Sequence, residues 1–128
     1  MKKIILIVAV MVTSLFAEIE WLSYDKAFEK AKDENKIVMV MLSKEGCPAC
    51  EYMIDIVFED DNVIDEFNQD FIGVHLDIHE DYVPEDLPYI GTPTFHFLNK
   101  HGRKLDRIDG GANVRDFTAK MREVKANR

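Results

Sequence analysis

The chain has 128 residues, 47% hydrophobic and 31% charged, with 16 basic against 24 acidic side chains and a net charge of −8. That length holds one domain with one core. The acidic balance argues against nucleic acid as a partner, because a phosphate backbone calls for a basic face.

Met1-Lys2-Lys3 is followed by Ile4 to Leu15, apolar apart from Thr13 and Ser14, and then by Phe16-Ala17 before Glu18. A basic start, a short apolar stretch and a small residue at its end read as a Sec-type signal peptide over residues 1–17, leaving 18–128 as the domain. The apolar run is shorter than the ~20 residues a spanning helix needs, which weighs against a retained anchor. No cysteine lies near the cut, so a lipidated N-terminus of the bacterial lipoprotein type is excluded. Without Lys2 and Lys3 the chain keeps 14 basic and 24 acidic residues, a net charge of −10. Export would put the cysteines in a compartment where disulfides persist.

Ile19, Trp21 and Leu22 read as a short edge strand or an apolar lead-in. Ser23 offers a helix cap, and Tyr24, Ala27, Phe28 and Ala31 follow at i, i+3, i+4, i+7, predicting an amphipathic helix that ends near Asn35. Lys36 to Leu42 is a nearly continuous apolar run of strand length, which suits a strand buried on both faces. Gly46-Cys47-Pro48-Ala49-Cys50 comes next and holds the only two cysteines. Met53, Ile54, Val57 and Phe58 continue the stripe of a helix that starts at Pro48, a residue suited to the first helical position because it has no N–H to leave unpaired. Cys47 then falls at the N-cap, where the partial positive charge of unpaired N–H groups favours a thiolate. Cys50 lies one turn inward, so the spacing predicts one exposed, activated sulfur and one shielded sulfur within bonding reach. Two cysteines this close are weak as a staple, since the loop they close is short.

The helix is expected to end about Glu59, and Val63, Ile64 and Phe67 then continue the period as a prolongation after a kink at Asp60 to Asn62. Phe71 to Asp77 reads as a second strand with Ile72, Val74, Leu76 and Ile78 on one face, parallel to the first. His79 to Gly91 is a polar loop with four acids and two prolines. Thr94 to Leu98, a turn at Asn99 to Gly102, and Lys104 to Ile108 predict a hairpin that Gly110-Gly111 breaks. Asn113 caps a last helix with Val114, Phe117, Met121 and Val124 on one face.

An opening helix, a buried strand running into Cys-x-x-Cys, a parallel strand, Gly91-Thr92-Pro93-Thr94-Phe95 leading into a hairpin, and a closing helix together resemble the thioredoxin superfamily, from Trp21 to about Arg128. The spacing from Trp21 to Ala27 is similar to that of its exported members. The resemblance implies an α/β fold with a central mixed sheet of four to five strands flanked by helices. It implies a cis bond before Pro93, with the backbone of Thr92 left free to pair with an extended segment of another protein beside Gly46 and Pro48. It further implies a cell-envelope thiol-disulfide oxidoreductase in which Cys47 is the nucleophile and Cys50 the resolving thiol. No cofactor beyond that redox-active disulfide is expected, the partners being protein thiols and disulfides, and the chain a monomer. Three positions depart from the family pattern. Met41 stands where many thioredoxins have a buried aspartate that moves protons for the second cysteine, Gly46 replaces a tryptophan, and Pro48-Ala49 replaces Gly-Pro.

Lys44 favours a Cys47 thiolate, whereas Glu45 and Glu51 oppose it. A less stabilised thiolate makes a better electron donor, which leans toward a reductase recharged by a membrane carrier. Two other functions stay open. One is a copper- or zinc-binding chaperone using Cys47, Cys50 and a histidine; His75, Asp77 and His79 alternate, but a closed zinc site takes four ligands and one Cys-x-x-Cys supplies half. The other is a redox-inert binding module in which the pair is merely packed. His96, between Phe95 and Phe97, reads as a hydrogen-bonded sheet residue, and Met39, Met41 and Met53 read as core. Glu80, Asp81, Glu85 and Asp86 lack the spacing of a calcium loop and read as a solvated face.

Overall fold

The computed structural model describes residues 17–128, so the expected leader, apart from Ala17, lies outside the described residues. Strand β1 (Ile37–Ser43) is buried at all seven positions. A run with no polar alternation needs cover on both sides, and its neighbours supply it. They are β2 (Phe71–Asp77), β3 (Thr94–Leu98) and β4 (Lys104–Asp109), in the order β2-β1-β3-β4. β1 pairs parallel with β2, as its apolar pattern predicts, and antiparallel with β3, which forms the hairpin with β4.

The period of two in β1 divides the core. Ile37, Met39 and Met41 join Phe71, Phe95 and Phe97 on one face, covered by α2 (Pro48–Asp55), α3 (Asp61–Asp70) and α4 (Val114–Ala126). Val38, Val40 and Leu42 join Ile72, Val74 and Leu98 on the other, beneath α1 (Tyr24–Glu34). Helix α1 buries Ala27 and Ala31 and stops at Asn35, whose φ of 53° is the left-handed conformation that ends helices. Phe58 meets Trp21, Phe95 and Phe117 edge to face, with ring centroids 5.5, 6.0 and 5.2 Å apart. These contacts pin the turn that follows α2 against β3, α4 and the segment before α1.

Four expectations need correction. The lead-in forms no strand: Trp21 makes a single parallel bridge to Gly73, and the chain then turns into α1. Ser23 occupies the N-cap position but its hydroxyl makes no capping bond. The segment after α2 is no kinked prolongation, because Val57–Glu59 is one 3₁₀ turn and Asp60 is extended at ψ 126°. Asp60 starts α3 afresh, its carboxylate accepting from Asn62 N–H and Val63 N–H at 3.0 and 3.1 Å. The loop from His79 to Gly91 is not wholly polar in effect, for Leu87 is buried in the α1-side core and His96 Nε2 donates to the Pro88 carbonyl at 2.8 Å.

Candidate active site

Strand β1 ends at Ser43, and the chain reaches α2 through Gly46, whose φ of 71° is the left-handed region glycine tolerates. Pro48 occupies the first helical position, and Cys47 is the N-cap in extended conformation. Cys47 Sγ accepts from Cys50 N–H at 3.2 Å, so one orphan donor of the helix start points at the reactive sulfur. The two cysteines form a disulfide with Cα atoms 5.2 Å apart.

Sequence spacing predicts an exposed Cys47 above a buried Cys50; the structure buries both, each 5% exposed. The cover comes from residues far off in sequence. The Thr92–Pro93 peptide is cis, Pro93 is buried, and the Thr92 carbonyl lies 3.6 Å from Cys47 Sγ, within reach of the S–H of a reduced Cys47. Thr92 Oγ1 is enclosed without a hydrogen-bond partner. Around this pair, Gly46, Pro48, Ala49 and Gly91 are open to solvent, as are Tyr89 and Ile90, the latter 90% exposed.

A third segment, where the sequence predicts only the break after the hairpin, closes the rim. Gly111 packs so that an added Cβ would lie 3.7 Å from Met53 Sδ and 3.8 Å from Ala49 Cβ, and Ala112 N–H donates to Met53 Sδ at 3.4 Å. Met53 is fully buried, as read, but it also anchors this loop. A glycine pair between a strand and a helix is the one sequence signal of such close approach.

The polar residues weighed as ligands are held apart by their own partners. His75 Nε2 and Ser43 Oγ share a 2.6 Å hydrogen bond, and the His75 ring tilts against Trp21 at 5.4 Å. β2 ends at Asp77, so His79 lies in the turn beyond, where Asp77 Oδ1 accepts from His79 N–H and Glu80 N–H. Those backbone bonds hold the Asp77 carboxyl below its ordinary range. Burial pushes His75 and His96 below the usual imidazole value. Among the described residues no group of three or more His, Cys, Asp or Glu side chains is placed to hold a metal ion.

A mixed sheet between helical layers, presenting a disulfide-bonded Cys-x-x-Cys pair where a helix begins, is the frame of the thioredoxin fold, the fold of thiol-disulfide oxidoreductases, and it assigns the molecule to that fold. The chain belongs to the thioredoxin-like family, whose domain model matches residues 24–125. It is 32% identical to thioredoxin H4 of Arabidopsis thaliana over 94 residues, which are 73% of this chain and 75% of the plant protein. It is 29% identical to the thiol:disulfide interchange protein DsbD of Tatumella citrea, over 73% of this chain but only 17% of that protein. Among solved structures, a thioredoxin from Thermus thermophilus superposes with a TM-score of 0.70 at 27% identity, covering 84% of this chain and 88% of the other.

Proposed function

We propose that this is a cell-envelope oxidoreductase that reduces disulfides in other proteins, with Cys47 as nucleophile and Cys50 as resolving thiol. The observation that carries the reading is the disulfide at the first turn of α2, with Cys47 Sγ facing the Thr92 carbonyl. In the dithiol, Cys47 loses its proton and attacks one sulfur of a substrate disulfide. A Cys47–substrate S–S bond forms, the substrate S–S bond breaks, and the departing thiolate takes up a proton. Cys50 then gives up its proton and attacks Cys47 Sγ, which closes the Cys47–Cys50 bond and frees the second substrate thiol. Two electrons pass to the substrate, and a membrane electron carrier docking at the same face returns them.

Thr92 and Pro93 on one side, and Gly46 and Pro48 on the other, form the groove that receives an extended substrate segment, which pairs with the Thr92 backbone as an added strand would. Exposed Glu45 and Glu51 flank the pair and disfavour a thiolate, which supports the reductive direction. The leader over residues 1–17 supports export. Relatives named as a thioredoxin and as a thiol:disulfide interchange protein support the reaction type.

The test is insulin-disulfide reduction by the wild-type chain, by Cys47→Ser and by Cys50→Ser. Wild type is expected to be active, Cys47→Ser inactive, and Cys50→Ser to accumulate mixed disulfides. A wild-type protein without activity overturns the reading. A reduction potential near the ~−120 mV of strong oxidants, in place of the ~−270 mV typical of thioredoxins, overturns the direction.

A further inference from the structure

We infer that His75, hydrogen-bonded to Ser43, exchanges protons with the Cys47–Cys50 pair and stands in for the carboxylate that many thioredoxins place at the position of Met41. The inference rests on the oxidoreductase reading and adds the group that handles the proton of the resolving thiol.

Resolution of the mixed disulfide requires Cys50 to lose a proton inside an apolar cluster. Cys47 and Cys50 share that cluster with Met41, Met53, Phe58 and Phe95, none of which can accept one. Met41 is fully buried. The buried polar residues among those described are Ser43, Thr94 and His96, with no carboxylate among them. Thr94 and His96 pair with Leu42 and Val40 and so face the α1 side of the sheet. Ser43 is therefore the one such residue within the sheet on the α2 side, two residues beyond Met41 on the same strand face, the enclosed Thr92 Oγ1 lying outside the sheet in the loop before β3.

The register supplies its partner. His75 is the β2 residue directly opposite Met41, and adjacent residues opposite one another share a face. Ser43 and His75 thus flank Met41 along and across the sheet, and their 2.6 Å bond joins them. His75 is an exposed residue, which gives the proton an exit. The charged groups acting on His75 are Asp77 on its own strand and Asp81 in the following turn; Ser43 from β1 and Trp21 from the lead-in are neutral.

In the step proposed, the Cys50 S–H bond breaks and its proton passes to Ser43 Oγ as the Ser43 hydroxyl proton passes to His75 Nε2. The Cys50 electron pair forms the Cys50–Cys47 bond as the Cys47–substrate S–S bond breaks, its electron pair leaving on the substrate sulfur as a thiolate. The imidazolium then loses its proton, directly or through water, to the released substrate thiolate. Protons and electrons balance without another reactant.

The readout that needs no variant is an NMR titration of the His75 ring in the full chain, once as disulfide and once as dithiol. Coupled groups shift each other reciprocally, so the His75 midpoint is expected to move on reduction, and the pH profile of single-turnover resolution to follow it. His75→Gln is expected to slow resolution about tenfold or more and to flatten that profile over about pH 5.5 to 7.5. Ser43→Ala is expected to leave His75 titrating with one midpoint in both redox states. An unchanged midpoint in the wild type, or a wild-type profile in folded His75→Gln, overturns the inference while insulin reduction by the wild type still stands. Failure of wild-type insulin reduction overturns the function itself.

Discussion

Gly73 and Trp21 compete for one volume. A Cβ on Gly73 would lie 2.7 and 2.8 Å from Trp21 Cε3 and Cζ3, closer than carbon atoms approach, so the indole must move or the strand must shift. Gly73→Ala is expected to cost about 1–3 kcal/mol by overpacking, read as a lower urea midpoint with unchanged slope. Gly91 has nothing within 4 Å of an added Cβ and no positive φ, so Gly91→Ala is expected to stay within about 0.5 kcal/mol of wild type. Two glycines of similar appearance in the sequence differ here in what they tolerate, because one faces an indole and the other open space. At Met53 the sulfur both fills the core and accepts from Ala112 N–H. Met53→Leu keeps the volume, is expected to cost less than about 1.5 kcal/mol, and leaves that N–H without its acceptor. Faster amide exchange at Ala112, with the rest of α2 unaffected, would report the loosened rim.

Among the elements, α3 shows where periodicity misleads. Val57 and Ile64 are seven residues apart, two full turns, so the apolar stripe stays in phase across Asp60 although the backbone there is extended. A pattern of buried side chains records which face is inward and carries no trace of a local break in ψ. The break depends on the Asp60 carboxylate, and Asp60→Ala is expected to cost about 1 kcal/mol, with Asp60→Asn close to neutral, measured by chemical denaturation. By contrast β1, α1 and α4 were legible, since each buries a continuous run or a clean helical stripe: Ile37 to Ser43, Ala27 with Ala31, and Phe117 with Met121 and Val124. The cysteine-bearing helix start was legible for the same local reason, Pro48 marking the first helical position and so placing Cys47 at the N-cap. What stayed hidden required partners distant in the chain. Burial of Cys47 comes from Thr92, the role of Gly111 from Met53, burial of Leu87 from the α1-side core, and the bond of Ser43 from His75.

At the scale of the molecule, one sheet covered on both faces couples all its elements, so unfolding is expected to be a single transition. Its pH dependence follows from two histidines. Burial holds His75 and His96 below the ordinary imidazole value of 6.5, so the unfolded chain binds more protons than the folded one just below that pH. Stability is therefore fully present above about pH 6.5 and falls as pH drops toward the folded midpoints. His96→Gln, which can still donate to the Pro88 carbonyl, is expected to shrink the difference between urea midpoints at about pH 7.5 and about pH 5.5. An undiminished difference would assign the slope elsewhere.

The single tryptophan of the chain rests against His75, with ring centroids 5.4 Å apart. Because a cationic imidazole quenches indole fluorescence, the protein carries an unlabelled optical gauge of the charge on that ring. Its emission can be followed in a stopped-flow cuvette on the timescale of turnover, so proton movement and sulfur chemistry become observable in the same mixing experiment.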